Sequence, residues 1–385
     1  MARLPMQIPL VSLKQNAQPA EIDSTLMKYS QVCLEAFGYT LPEEVVTTDA
    51  LESKLAQGYQ RLRLPEGRLE LMTGIRERRF YPPGTTPGSV SATSAANAIQ
   101  ASGLDPGEIG ALVHGSVCRD FLEPATACGV HHALRLPQSC MIYDVSNACL
   151  GVLTGMVQLA NMIELGQIKA GLVMGTECGR TLVENTVRRI NEDESVTRKN
   201  IKLLVASLTI GSGSVAAVLC HESISKTGNK LLGGAVTAST DHHELCQSEG
   251  LETFMQTDSE QLMRRGVAAG GATFDPFLAE LDWTREDINR TVCHQVGVAH
   301  RKMLFEELQL EEALDVPTLE TLGNTGAAAL PLTMALGAEA GQFQRDDSVA
   351  MLGIGSGINC QMLGVRWQES RVVGNAKSLQ YEPMQ

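Results

Sequence analysis

The sequence predicts an α/β fold made of two similar halves, with helices on both faces of mainly parallel sheets. A strand, a small-residue turn, an apolar helix and a second strand follow Glu108-Ile109, and the same order returns after Asp287-Ile288. The helix in each half is apolar on nearly every side, which is typical of the interior of a large protein. Strands separated by helices favour parallel pairing, and a repeat of this length indicates a duplicated α/β unit and not a solenoid.

The first half, residues 30–220, follows a polar and irregular stretch of residues 1–29 that we expect to form an arm on the surface. A Thr or Asp before an amphipathic run is a common helix start, which places the first helix near residue 48. The predicted elements are a strand at Val32 to Thr40, a helix capped near Thr48 or Asp49, a helix at Ser91 to Ala101, strands at Ile109 to Val113 and Met141 to Tyr143, a helix that begins at Cys149 and ends near Leu165, and strands at Ala170 to Gly175 and Val215 to Leu219.

The second half, residues 221–370, repeats this pattern, and residues 371–385 form a second terminal extension. A small-residue turn at Gly323 to Gly326 leads into a helix at Ala327 to Leu336, and a strand follows at Val349 to Gly353. The glycine-rich run Gly353 to Gly357 lacks both the GxGxxG spacing and the following helix of a nucleotide loop. It therefore predicts a tight turn with exposed backbone N–H groups and not a phosphate site.

The length of the chain indicates how large its core can be, and its net charge indicates which partners are unfavourable. At 385 residues the chain can bury a sizeable core and can hold two domains or two fused halves. Its formal net charge of −13 makes a nucleic acid or an anionic membrane an unfavourable partner. The same charge is mildly unfavourable for docking a strongly acidic carrier protein.

The cysteine pattern and the hydropathy predict a protein of the cytoplasm. Ten cysteines are scattered through the chain without a CxxC pair, which favours neither a zinc cluster nor a disulfide framework, so we expect no metal. Unpaired cysteines fit a reducing compartment. The first 13 residues are too weakly patterned for a signal peptide, and no uncharged apolar run reaches the roughly 18 residues that a membrane span needs.

Three residues of differing chemistry follow strands at equivalent places in the two halves, namely Cys149, His294 and Asn324. Loops at the carboxyl ends of strands gather across the pseudo-twofold axis of such a fold, so we expect these residues at one site. Each residue also has an ordinary interpretation. The cysteine could be a small buried hydrophobe, the histidine a partly buried side chain, and the asparagine a helix cap.

The set Cys149, His294 and Asn324 suits acyl transfer. The unpaired N–H groups and the positive end of a helix favour a thiolate at its N-terminus. Such a sulfur can attack a thioester carbonyl and hold the acyl group. The imidazole and the amide can then donate hydrogen bonds to the oxygen that becomes negative.

Glu123 is a further candidate, on the loop after the strand at Ile109 to Val113. Its ordinary interpretation is a surface carboxylate before a proline. The neighbouring Phe121 and Leu122 are apolar, which indicates that something covers this loop, such as a second subunit.

These motifs also carry a resemblance that runs from about residue 32 to 367. The chain resembles the thiolase-superfamily condensing enzymes of the ketoacyl-ACP synthase III branch, and most of all the OleA group of acyl-CoA condensing enzymes, which begin long-chain olefin biosynthesis. The resemblance implies the thiolase fold, a duplicated five-layer αβαβα arrangement with two mixed sheets and a buried central helix from each half. The matching motifs are Thr73 to Arg78, Ser116 to Asp120 with Glu123-Pro124, Asp144 to Leu150, His294 to Val296, Gly323-Asn324 and Leu352 to Gly357.

The resemblance assigns a role to each candidate residue. It implies that Cys149 is the acylated nucleophile and that His294 and Asn324 complete a catalytic triad. The backbone N–H groups of Cys149 and Ser356 would form the oxyanion hole. Glu123 would reach into the site of the other subunit as a base, in a homodimer.

Glu123 favours one reaction within this branch. A decarboxylative synthase needs no carboxylate base, and a second carboxylate would repel its malonyl substrate. Removal of a weakly acidic α-proton does need a base, which favours a non-decarboxylative Claisen condensation of two fatty acyl-CoAs to a β-keto product. This reaction needs no cofactor besides its CoA thioester substrates, and other lipid-biosynthesis enzymes would be downstream partners.

Three alternatives stay open beside this reaction. They are a malonyl-dependent 3-oxoacyl-ACP synthase III, an ester-forming relative and an inactive acyl-binding relative. The Trp and Arg with which many relatives grip CoA are replaced here by residues of the stretch Arg68 to Met72, so the CoA-binding residues are not predicted.

Overall fold

The computed structural model describes residues 24–249 and 254–376. Most of the predicted terminal extensions, residues 1–23 and 377–385, lie outside this part of the chain, although residues 25–28 of the expected arm form a strand. The strands are β1 (Thr25–Lys28), β2 (Val32–Thr40), β3 (Glu44–Thr47), β4 (Glu77–Phe80), β5 (Ile109–His114), β6 (Met141–Asp144), β7 (Ala170–Glu177), β8 (Gly213–His221), β9 (Lys230–Ala238), β10 (Cys246–Glu249), β11 (Phe254–Thr257), β12 (Arg290–Cys293), β13 (Ser348–Gly355), β14 (Asn359–Arg366) and β15 (Val372–Val373).

The helices lie between these strands, and none within the two described ranges is both long enough and apolar enough to cross a membrane. Short 3₁₀ turns at Ala148–Leu150 and Gly326–Ala328 lead into the sixth and the last helix. The helices are α1 (Thr48–Ser53), α2 (Ala56–Leu62), α3 (Leu69–Thr73), α4 (Pro87–Ser102), α5 (Thr126–Leu134), α6 (Gly151–Glu164), α7 (Arg180–Glu192), α8 (Ser259–Glu280), α9 (Val298–Leu308), α10 (Leu319–Leu322) and α11 (Ala329–Glu339).

The sheet repeats one strand arrangement in the two parts of the chain. The hydrogen-bonded order is β12-β13-β14-β9-β2-β8-β7-β5-β6, with β1 added to β9 and β15 added to β2. The sets β2-β8-β7-β5 and β9-β14-β13-β12 have the same succession of antiparallel, antiparallel and parallel pairs. A single residue pair, Cys33 with Lys230, joins β2 to β9. The duplication is therefore present as two mixed sheets that meet edge to edge.

The expectation of mainly parallel sheets is wrong, and the mixed sheets implied by the resemblance are confirmed. Parallel pairing occurs between β5, β6 and β7 and between β12 and β13, whereas β8 and β14 pair antiparallel with both of their neighbours. A direct hairpin connects β13 to β14, and such a short connection can only join antiparallel strands. Sequence reasoning missed β14 because it follows a glycine-rich turn and not a helix.

The packing gives five layers, α–β–α–β–α. Helices α6 and α11 share one apolar core with strands of both sheets and so form the middle layer. Helices α4 and α5 cover the outer face of the first sheet, and α8 and α9 cover the outer face of the second. All ten residues from Ala329 to Ala338 in α11 are buried, which confirms the predicted apolar central helix.

Candidate active site

Cys149 lies in the 3₁₀ turn that opens α6, as the sequence predicts. The preceding Ala148 has a φ of 43°, a left-handed conformation that non-glycine residues rarely adopt. Directly after the turn, the backbone of Gly151 packs against the backbone of Gly115 beyond the end of β5, where a Cβ on either glycine would lie within 2.6 Å of main-chain atoms. This close approach holds the start of α6 at the carboxyl edge of the first sheet.

Two backbone N–H groups, those of Cys149 and Ser356, lie near the Cys149 sulfur and favour its thiolate, which lowers the pKa of the thiol. Burial, with smaller contributions from Cys246 and Glu177, nevertheless raises the pKa of this thiol to about 12. The expected thiolate at the helix start is therefore wrong. Loss of solvation outweighs the two N–H groups, so the resting sulfur is a thiol and must lose its proton during the reaction.

Ser356 opens the tight turn between β13 and β14, which confirms the turn predicted from the glycine-rich run. Gly357 and Ile358 take φ values of 77° and 53°, which reverse the chain within three residues. The Asn359 amide donates to Asn147 Oδ1 at 3.3 Å and so ties this turn to the loop of Cys149. The N–H of Ser356 is held beside the sulfur in this way.

His294 follows β12 and is anchored to β13 because its backbone N–H donates to Leu352 O at 3.0 Å. The ring is buried, and neither ring nitrogen has a hydrogen-bond partner among the described residues. Burial lowers the pKa of His294 to about 3, with a smaller effect from His300. A neutral imidazole with two unpaired nitrogens is suited to exchange protons or hydrogen bonds with a ligand.

Asn324 lies in the loop before α11, where its Oδ1 accepts a hydrogen bond from the N–H of Gly326 at 2.9 Å. This bond closes a local turn and does not cap a helix, because the N-cap residues of the 3₁₀ turn and of α11 are Thr325 and Ala328, and neither start has a side-chain cap. The ordinary interpretation of Asn324 as a helix cap is therefore wrong. The backbone of Asn324 also pairs with the segment that leads into β8, through Thr209 and Gly211. Its side-chain NH₂ makes no hydrogen bond within the described ranges, so it can still donate to a ligand.

The carboxyl end of β13 connects these loops. The turn that carries Cys149 packs on β13 and on the turn Gly326–Ala328, and His294 is hydrogen-bonded to the same strand. Strand β13 is thus a common neighbour of the Cys149 turn and of His294, and the turn after Asn324 packs on the Cys149 turn. In the described part of the chain, no group of three or more His, Cys, Asp or Glu side chains could hold a metal ion.

Glu177, the last residue of β7, was missed by sequence reasoning. Its carboxylate is buried, and it accepts hydrogen bonds from the backbone N–H groups of Val117, Cys118 and Ala327 at 3.0, 3.2 and 3.3 Å. Burial raises its pKa. The sequence offered only a lone carboxylate after an apolar strand, which carries no signal for a site.

Glu123 lies on the loop between β5 and α5, as predicted, and its side chain is exposed in the single chain. It makes no hydrogen bond or ion pair with any residue that the structure describes. The neighbouring Phe121 and Leu122 are 64% and 94% exposed, which is unusual for two adjacent large apolar side chains. Within one chain, this carboxylate is therefore not joined to the other candidate residues.

Comparisons with known proteins identify the fold family of both halves. Residues 80–237 match the family model of the N-terminal domain of thiolase, and residues 278–367 match that of the C-terminal part of 3-oxoacyl-[acyl-carrier-protein] synthase III. The chain is 42% identical over 352 residues to an acyl-CoA:acyl-CoA alkyltransferase of Shewanella oneidensis, a match that covers 89% of this chain and all of the relative. It is 25% identical to a β-ketoacyl-[acyl-carrier-protein] synthase III of Natranaerobius thermophilus, over 86% of this chain and 98% of that protein.

A solved structure extends this similarity to three dimensions. It is that of a cysteine-to-serine variant of OleA from Xanthomonas campestris with bound lauric acid and lauroyl-CoA. The two chains superpose with a TM-score of 0.85 at 29% identity, over 88% of this chain and all of that one. The chain is therefore a thiolase-fold acyltransferase of the synthase III branch, and it belongs to the family of acyl-CoA:acyl-CoA alkyltransferases, the OleA family.

Proposed function

We propose that this protein joins two fatty acyl-CoA molecules by a non-decarboxylative Claisen condensation. The thiolase-like halves 30–220 and 221–370 would contribute Cys149 and Glu123 from the first, and His294, Asn324 and Ser356 from the second. The observation that carries this proposal is the position of the Cys149 sulfur, at the start of α6 and beside its own backbone N–H and that of Ser356. Two neighbouring backbone N–H groups can form an oxyanion hole once a substrate carbonyl oxygen accepts hydrogen bonds from both.

The first step is acylation. The Cys149 sulfur attacks the thioester carbonyl of one acyl-CoA, and the C–S bond to CoA breaks. The thiol proton passes through the neutral His294 imidazole to the sulfur of the leaving CoA, which departs as a free thiol. The thioester formed on Cys149 is uncharged, so a buried site accommodates it better than a thiolate.

The second step is carbon–carbon bond formation. The carboxylate of Glu123, supplied by the partner subunit, removes an α-proton from a second acyl-CoA. His294 and the free NH₂ of Asn324 donate hydrogen bonds to the resulting enolate oxygen while its α-carbon attacks the acyl group on Cys149. The C–S bond to Cys149 breaks, its sulfur regains the proton held by Glu123, and water hydrolyses the remaining thioester to a β-keto acid and CoA.

The homodimer in this proposal is supported by the exposed edge of the first sheet. Strand β6 is the outermost strand there, and Met141 at its start is 53% exposed. An unpaired sheet edge presents free N–H and C=O groups that can pair with another chain. A second copy across this edge would also bury Phe121 and Leu122 and bring each Glu123 loop towards the other subunit, as the isologous contacts of a twofold dimer require.

The proposal also includes the cellular compartment, the downstream partners and the cofactors of the enzyme. All ten cysteines are free, which supports a reducing compartment such as the cytoplasm. The proposed β-keto product is chemically labile, so we expect enzymes of lipid biosynthesis to act on it downstream. Besides the acyl-CoA substrates the reaction requires no cofactor.

Incubation with lauroyl-CoA alone tests the proposal. We expect free CoA, an acyl adduct on Cys149 by intact mass, and a β-keto acid or the ketone it forms by loss of CO₂. Glu123→Ala should retain the acyl adduct and lose condensation by about 100-fold or more, the upper range for a general base. Glu286→Ala, an exposed glutamate of the second half, serves as the matched control and should leave both steps unchanged.

A malonyl-dependent synthase is the second candidate, because the C-terminal residues 278–367 match the synthase III family model. In that case CoA and CO₂ would be released only after a malonyl thioester is added, and Glu123→Ala would condense at the wild-type rate. Absence of any acyl adduct on Cys149 would instead favour an inactive acyl-binding relative, and ester formation with an alcohol would favour the ester-forming one.

A further inference from the structure

The carboxylate of Glu177 connects three separate parts of the chain. It ends β7, it accepts hydrogen bonds from the loop that leads to Glu123 through the N–H groups of Val117 and Cys118, and it accepts one from Ala327 in the turn before α11. The thiol of Cys118 donates a fourth hydrogen bond. Among the described residues, the groups that lower the pKa of this carboxyl against its burial are these hydrogen-bond donors.

The side chain of Glu177 also packs directly on the turn that follows Asn324. A Cβ added at Gly326, whose φ is 55°, would lie 3.1 to 3.2 Å from Cγ, Cδ and Oε1 of Glu177. Glycine therefore lets the turn approach this carboxylate without strain, whereas a larger residue would be strained at this φ and would displace the Glu177 side chain. Two residues upstream, the Oδ1 of Asn324 accepts a hydrogen bond from the N–H of Gly326, so a shift of Glu177 moves the Asn324 amide as well.

We propose that Glu177 is a positioning residue for the condensation step. It fixes the positions of the Glu123 loop and of the Asn324 turn relative to Cys149. This inference rests on the proposed function, because it assigns Glu123 and Asn324 to that step. Neither residue is fixed by a charged partner of its own. A buried carboxylate with several backbone donors fixes loops more rigidly than neutral contacts do, since charge-assisted hydrogen bonds are about twice as strong.

The charge of Glu177 has a second, measurable effect. It raises the pKa of Cys149 and also those of Cys118 and Cys178. A purely structural carboxylate elsewhere in the fold would not act on the nucleophile. This electrostatic effect therefore distinguishes the proposed role from a general contribution to stability.

The test compares Glu177→Gln and Glu177→Asp with a matched control, Glu35→Gln. Glu35 is also a buried carboxylate, 0% exposed, and it accepts hydrogen bonds from the N–H of Lys226 and from the hydroxyl groups of Ser225 and Thr227. The first readout is alkylation of Cys149 by iodoacetamide as a function of pH, measured on its peptide by mass spectrometry. The second is single-turnover acylation and condensation with lauroyl-CoA.

For Glu177→Gln we expect condensation to slow by about tenfold or more. The two loops lose the charged acceptor that they share, and a small displacement of their reacting groups lowers the rate strongly. Loss of the negative charge should at the same time speed alkylation of Cys149 at pH 8 by about threefold. Glu177→Asp keeps the negative charge, but its shorter side chain does not reach all the backbone donors. This variant should therefore catalyse condensation slowly while its alkylation profile stays nearly that of the wild type. Glu35→Gln should alter only the melting temperature.

Several outcomes would overturn the inference. They are wild-type condensation in both Glu177 variants, an alkylation profile that Glu177→Gln leaves unchanged, or the same two changes in Glu35→Gln. If the wild-type protein itself forms no condensation product, the proposed function fails, and the positioning role that rests on it fails too. The alkylation profile would then still report whether the Glu177 carboxylate faces the nucleophile.

Discussion

A methyl group added at Gly151 should impair the nucleophile without unfolding the protein. A Cβ at this position would lie 2.6 Å from the carbonyl oxygen of Gly115 and 2.8 Å from its carbonyl carbon. Both are main-chain atoms, which cannot rotate away as a side chain can. Gly151→Ala must therefore push the start of α6, and Cys149 with it, away from the end of β5.

The size of the effect follows from this distance. Ordinary contact begins near 3.4 Å, so the helix start must move by a little under 1 Å. A misplacement of about 1 Å can cost roughly 100-fold in rate, and we expect acylation to slow by about 10- to 100-fold. Overpacking of this kind costs about 1–3 kcal/mol of stability, which leaves the protein folded at 25 °C.

The assay measures acyl-Cys149 formation from lauroyl-CoA by intact mass, together with the melting temperature. Gly129→Ala in α5 is the control, because no atom lies within 4 Å of an added Cβ there. It should acylate normally and gain up to about 1 kcal/mol, as an unstrained Gly→Ala change does. Acylation at the wild-type rate in Gly151→Ala would refute the idea that the Gly115 contact sets the position of the sulfur.

Three further predictions concern the buried groups near the site. Because burial raises the pKa of Cys149 to about 12, its alkylation by iodoacetamide should rise about tenfold per pH unit between pH 7 and 10, and a plateau near pH 8 would contradict this. Burial lowers the pKa of His294 to about 3 in the folded protein, so the unfolded state binds more protons below pH 6.5. The free energy of unfolding should therefore fall from pH 6.5 towards pH 4, and it should fall less steeply in His294→Phe. Arg301 pairs with buried Asp315 at 2.8 Å, so Arg301→Met should lower the free energy of unfolding by about 3–5 kcal/mol in urea titrations, and a loss under 1 kcal/mol would contradict the pairing.

The sequence predicted the parts of the fold that repeat and the parts that are apolar. Strand β2 was predicted at its observed bounds, Val32–Thr40, and α6 and α11 were recognised because they are apolar on every side. The 22-residue helix α8 received no prediction although it covers the second sheet. Pro276 lies inside this helix, and a proline within a helical pattern normally marks the end of a helix.

The sequence predicted the site residues that lie in local motifs, but not the features of the site that depend on the tertiary structure. Cys149 and Asn324 lie on small-residue turns that occur in both halves of the sequence, and Ser356 lies in a glycine-rich run. The structure places these loops near the end of β13. The ionisation of Cys149 was predicted wrongly, because a helix N-terminus is a local feature whereas burial depends on the whole fold. Glu177 was missed for the same reason, since its donors come from residues about 60 and 150 positions away.

The central claim is that Cys149 of one subunit works with Glu123 of the other. Co-expression of Cys149→Ser and Glu123→Ala chains with different affinity tags, followed by isolation of the mixed species, tests it most directly. Each mixed dimer would hold one complete site, so we expect about half of the wild-type condensation rate per dimer, while each parent variant is inactive. A mixed dimer as inactive as its parents would contradict the account, because it would mean that both residues must lie in the same chain.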